Sequence, residues 1–201
     1  MNITKLIERV RCIVLSPKTE WQKIAAEPAD VKSLFTGYAM ILAAIPMLCG
    51  LIGLTLMSMS LPIVGTIRTP IAAMLVQLVL TYVLGLVAIY VVALVVDALA
   101  PTFDGQKSAI QAFKLVIYSS TPVWLAGIFA VLPVWGELGI LVALYGLYLL
   151  YIGLVPIMKN SQDKSFGYTA LIIVCYIVLA IIVTAVTAAV VNAGVAMRSR
   201  F

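Results

Sequence analysis

Three long stretches of this chain contain no Asp, Glu, Lys or Arg. They lie between Lys32 and Arg68, between Arg68 and Asp97, and between Lys164 and Arg198. A run of about 20 apolar residues is enough to cross a hydrocarbon core roughly 30 Å thick. Of the 201 residues, 64% are hydrophobic and 10% are charged, whereas soluble domains carry about 25% charged residues. A soluble globular fold is therefore excluded, and an all-α, polytopic membrane protein is expected.

Five apolar segments are delimited, at about 34–57, 70–96, 110–132, 136–158 and 168–193. The chain thus divides into an N-terminal segment, residues 1–33, and a membrane domain, residues 34–201, forming a five-transmembrane-helix bundle. The third and fourth segments are separated by a few residues around Pro133, Val134 and Trp135, which predicts a tight antiparallel hairpin. No short apolar core with a small-residue cleavage site opens the chain, so the N-terminus does not read as a secretory signal peptide. Lys and Arg set the expected orientation. With the N-terminus inside, ten of these residues face the cytoplasm, and Arg68, Arg198 and Arg200 face outward. That asymmetry predicts a cytoplasmic N-terminus and a C-terminus on the opposite side.

The N-terminal segment has its own pattern. Ile3, Leu6, Ile7, Val10, Ile13 and Val14 share one helical face. Ser16 followed by Pro17 reads as the N-cap and first position of a second short helix, which Pro28 ends. On that helix Trp21, Ile24 and Ala25 lie together, with Lys18, Gln22 and Lys23 largely elsewhere. A basic amphipathic helix bearing Trp suits the cytoplasmic membrane interface, with Trp21 and Ile24 as the anchors. The other reading is a helix packed against the protein's own loops.

Histidine is absent, which removes His-based general-base chemistry, Ser-His-Asp triads and His-ligated metals. Cys12, Cys49 and Cys175 are far apart and form no metal-ligand spacing. No catalytic residue, metal or cofactor is expected, and the protein is read as not an enzyme. Basic residues are dispersed, so nucleic acid is not an expected partner; the lipid bilayer, a protein partner or a second copy of the chain is.

Several features inside the spans remain. In the third, Tyr118-Ser119-Ser120-Thr121-Pro122 combines three hydroxyls with a proline that cannot donate to the Tyr118 carbonyl. This is either a tolerated kink or a break lining a polar cavity. Pro46 and Pro156 act alike on the carbonyls of Leu42 and Ile152. In the fourth span, Gly139, Ala143, Gly146 and Gly153 form one small-residue strip suited to close helix packing. Asp97 and Lys114 lie near span ends, where snorkelling to water or pairing across the Asp104-Gly105 loop would make them tolerable. Gln77 and Asn192 are polar residues without an evident partner.

The order of these features resembles the Ypt-interacting-protein (YIP) family in its compact bacterial form. The resemblance rests on "SPKTEWQKI" before the first span and "FDGQKSAIQAFKLVIYSSTP" at the third. "LYGLYLLYIGLVPIMK" in the fourth and the five-span layout extend it over most of the chain. It implies five spans, a cytoplasmic N-terminus and an inner-membrane location. Eukaryotic relatives bind small GTPases and carry a long cytosolic N-terminal region that has no counterpart here, so GTPase binding does not carry over. Two functions are expected to compete. One is a non-enzymatic protein that organises membrane or partner proteins; the other is a small-solute or ion transporter using the break at Ser119–Pro122, with Asp97, Lys114 and Gln77 as auxiliaries.

Overall fold

The computed structural model describes residues 3–60, 71–131 and 136–198. Two short helices lead the chain: α1, Ile3–Leu15, and α2, Pro17–Ala26. The turn between them is tight because Ser16 still bonds back into α1, its N–H reaching the Cys12 carbonyl at 2.9 Å. Ser16 holds the N-cap position, yet its hydroxyl caps nothing. Its carbonyl instead accepts from the Thr19 hydroxyl at 3.0 Å.

The first span begins at α3, Val31–Leu34, where Asp30 caps the helix by accepting from the Ser33 N–H at 3.3 Å. It passes through one wider π turn, Phe35–Ala39, into α4, Met40–Ser60. The second span is α5, Ile71–Leu99, which ends in a 3₁₀ turn over Ala100–Phe103. The third is broken into α6, Ala109–Ser119, and α7, Thr121–Ala126, followed by a 3₁₀ segment, Gly127–Val131. The last two are α8, Gly136–Met158, and α9, Gln162–Arg198. Among the described residues, five helical stretches are long and apolar enough to cross a membrane. The chain is a five-span helical membrane protein. The connection expected at Pro133, Val134 and Trp135 lies outside the described residues, as do Arg68 and Arg200.

The third span holds the bundle together. Its apolar stretch is 67% buried, against 11% for the fifth, because α5, α8, α4 and the N-terminal helices surround α6 and α7. Close approach at one crossing depends on a glycine. A Cβ at Gly127 would lie 2.6 Å from both Cα and Cβ of Pro46, so α4 at Pro46 sits directly on the backbone of the third span. Large apolar side chains along α5, α8 and α9 point outward, as expected of helices whose solvent is lipid.

Candidate functional site

Among the described residues, the most developed polar arrangement is the seat of the N-terminal hairpin, α1 and α2, on the bundle. It starts from a hydrophobic anchor. Trp21 is fully buried, and Ile24 and Ile13 nearly or wholly so. Trp21 rests on α8 where that helix has no side chain, since a Cβ at Gly153 would come within 2.7 Å of Trp21 Cε2 and of Leu115 Cδ1. The indole also meets Tyr118 edge-on, with ring centroids 6.5 Å apart, and Tyr118 meets Tyr38 in the same manner at 4.8 Å. Edge-to-face pairs of this kind are preferred by aromatic quadrupoles.

A charged layer lies beside this anchor. Arg9 of α1 forms ion pairs with Glu20 and, through both carboxylate oxygens at 2.5 and 2.6 Å, with Glu27. Its guanidinium also stands 5.8 Å from the centroid of the Tyr118 ring, a cation–π distance. Glu20 is only 4% exposed, and a carboxylate so placed needs a partner. Burial by itself would lower the Arg9 pKa, but its hydrogen bond to Glu27 and the neighbouring acidic groups hold it above its ordinary value.

The end of α2 is tied down from α6. The last carbonyls of a helix have no intrahelical donors and carry the negative end of the helix dipole. Lys114 Nζ donates to the carbonyls of Ile24 at 2.8 Å and Glu27 at 2.5 Å, and Gln111 donates to that of Ala25 at 3.0 Å. From α8, the Tyr145 hydroxyl donates to the Val14 carbonyl at 2.6 Å. One cationic side chain thus serves as the C-cap of a helix remote from it in sequence.

This geometry corrects three expectations. Trp21 and Ile24 are not offered to the membrane interface, because α2 turns that face into the bundle, where it packs on the spans α6 and α8 and not on the loops that the other reading named. Asp97 and Lys114 do not pair, because the ammonium is committed to the α2 carbonyls. Asp97 leaves Oδ1 buried without a partner among the described residues. The small-residue strip packs only in part. A Cβ at Gly146 would lie 3.1 Å from the Ser119 carbonyl oxygen, and Gly153 lies under Trp21, whereas Gly139 meets nothing within 4 Å and Ala143 is half-buried.

The break at Tyr118–Pro122 is real, and its hydroxyls are used within the chain. Ser119 and Ser120 both donate to the Val116 carbonyl, at 3.1 and 2.7 Å. Ser120 also meets the Tyr176 hydroxyl at 3.3 Å, and Thr121 meets that of Tyr38 at 2.8 Å. Tyr118, Ser119, Thr121 and Pro122 are buried. One surface groove lies between α4, α5 and α7 and another between α2, α8 and α9, and none of these five residues lines either. Gln77 and Asn192 are exposed on the spans. Among the described residues no cluster of three or more His, Cys, Asp or Glu could hold a metal ion.

Sequence reasoning alone misses Arg9, Glu20, Gln111 and Tyr145 as parts of one site. The available signal is an Arg on the flank of an apolar helical face, eleven residues before a Glu that lies beyond the turn closing that helix.

Comparison with known proteins places the chain. Residues 11–184 match the Yip1 domain family. The inner membrane protein YohC of Escherichia coli K12 is 25% identical over 157 residues, covering 77% of this chain and 80% of YohC. YohC of E. coli O6:H1 matches to the same extent. No solved structure matches.

Proposed function

We propose, from the premise that the chain belongs to the Yip1 domain family, that it is a non-enzymatic inner-membrane protein that organises the surrounding membrane. Its working part is α1, held rigidly on the cytoplasmic side. The observation that carries this reading is the outer edge of α1. With Leu6, Ile13 and Arg9 turned into the bundle, Ile3, Ile7 and Leu15 remain 72%, 59% and 68% exposed. Lys5, Glu8 and Arg11 are exposed on the same helix, two cations against one acid. An apolar edge with a net positive surround suits the boundary between headgroups and acyl chains of an anionic leaflet. The clamp keeps that edge from folding back onto the protein, so binding the leaflet requires no ordering of the helix.

The inner-membrane location draws support from YohC, which is named for that location. The non-enzymatic reading draws support from the absence of histidine. The test is a depth measurement on the full chain in liposomes containing anionic lipid. With Cys12, Cys49 and Cys175 replaced by serine, a spin label on Ile7→Cys is expected to be relaxed by lipid-soluble oxygen more than by a water-soluble agent. The reverse result overturns the proposal. A transport path through Ser119–Pro122 is the weaker reading, since the hydroxyls there are bonded within the chain. Specific solute flux in the same liposomes would restore it.

A further inference from the structure

The groove between α2, α8 and α9, of about 580 Å³, has no assigned role, and it joins a polar rim to an apolar floor. We infer that it is a binding site for a phospholipid whose headgroup carries hydrogen-bond donors, with ethanolamine the best fit.

Three observations converge on this occupant. First, Lys18 lines the groove, is exposed, and pairs with no carboxylate among the described residues, whose ion pairs engage Arg9, Lys23 and Lys164. A free ammonium at the lip of a groove complements a phosphate. Second, Pro156 lies inside α8 and has no N–H, so the Ile152 carbonyl loses its helical donor. Ile152 and Pro156 both line the groove. A donor in place of the missing N–H can come from a primary ammonium or a hydroxyl and not from a trimethylammonium. Third, the floor is apolar, with Ile152, Val155 and Pro156, and Val155 is among the outward-facing side chains of α8. An acyl chain leaving the groove therefore continues along a face that already meets lipid. Gln22 and Gln162 stand on the polar side and complete a headgroup-sized rim. A soluble metabolite would use the rim but not the apolar floor. A partner helix would have to bring both an acid for Lys18 and a side-chain donor for the Ile152 carbonyl.

The site is independent of α1 and its outer edge, so the depth measurement and the lipid measurement fail separately. The test is native mass spectrometry of the full chain after delipidation, titrated with dioleoyl phosphatidylethanolamine and dioleoyl phosphatidylcholine. Phosphatidylethanolamine is expected to be retained at least about threefold over phosphatidylcholine, the equivalent of one net hydrogen bond. Lys18→Ser should lower retention of both lipids about fivefold, as loss of one cation near a phosphate does. Pro156→Leu restores the donor to Ile152 and should abolish the discrimination while leaving phosphatidylcholine retention unchanged. Lys5→Ser, remote from the groove, should change neither. Equal retention of the two lipids by the natural chain, or indifference to Lys18→Ser, overturns the inference.

Discussion

At the scale of the residue, two glycines on one helix make opposite predictions. A methyl group at Gly153 has no room between Trp21 and Leu115, so Gly153→Ala should destabilise the folded protein by about 1–3 kcal/mol through overpacking. Gly139→Ala meets nothing within 4 Å and should be neutral or slightly stabilising, as Ala is in a helix. Thermal unfolding of the detergent-solubilised protein separates the two, and equal shifts would refute the packing seen at Trp21. Glu20 carries a second prediction. Glu20→Gln removes one of the two carboxylates facing Arg9, and because Glu27 still pairs with the guanidinium the cost should fall below the roughly 3–5 kcal/mol of a buried pair broken from one side. Pairing Arg9→Met with Glu20→Leu should cost clearly less than the two single changes together. No pH dependence is expected from Arg9. Its raised pKa means that the stabilisation is present below the unfolded value and is lost only as pH rises through the still higher folded one. For a guanidinium, both lie above the working range.

At the scale of the element, α2 is a ten-residue helix, too short to be stable alone in water. It persists because Trp21 and Ile24 are buried and because its last carbonyls are capped from α6. Lys114→Met should therefore loosen the hairpin, seen as faster amide exchange over residues 17–27. Lys114→Ala and Asp97→Ala should be additive within about 0.5 kcal/mol, since the two side chains share no contact; a larger coupling would reinstate the pair that spacing suggests. Removing residues 1–28 uncovers Tyr118, Leu115 and the bare backbone at Gly153. The truncated chain should melt lower and aggregate more, instead of behaving as an intact bundle without an appendage. The broken third span is the element to which α4, α5, α8 and the N-terminal helices are fastened, while α9 packs on α5 and α8. Its kink is legible in Ser119-Ser120-Thr121-Pro122, but the fate of the hydroxyls is not, because Tyr38 and Tyr176 reach them from other spans.

At the scale of the molecule, the charge asymmetry of the loops predicts that a C-terminal reporter will be active outside the cytoplasm. Activity of a cytoplasm-dependent reporter there would invert the arrangement and move the α1 edge to the other leaflet. The number of spans and the helical class follow from local chemistry alone. An ion-free apolar run can satisfy its backbone in lipid only by bonding to itself, whatever its neighbours do. The amphipathic faces of α1 and α2 are equally local and equally legible. Which way those faces turn is not, because lipid and a bundle interior are both apolar and a face of Ile, Leu and Trp suits either. That choice depends on a gap at Gly153 on α8, a donor at Lys114 on α6 and two carboxylates around Arg9. Such complementarity exists only when distant segments are side by side, and it turns Trp21 from a membrane anchor into the centre of the core.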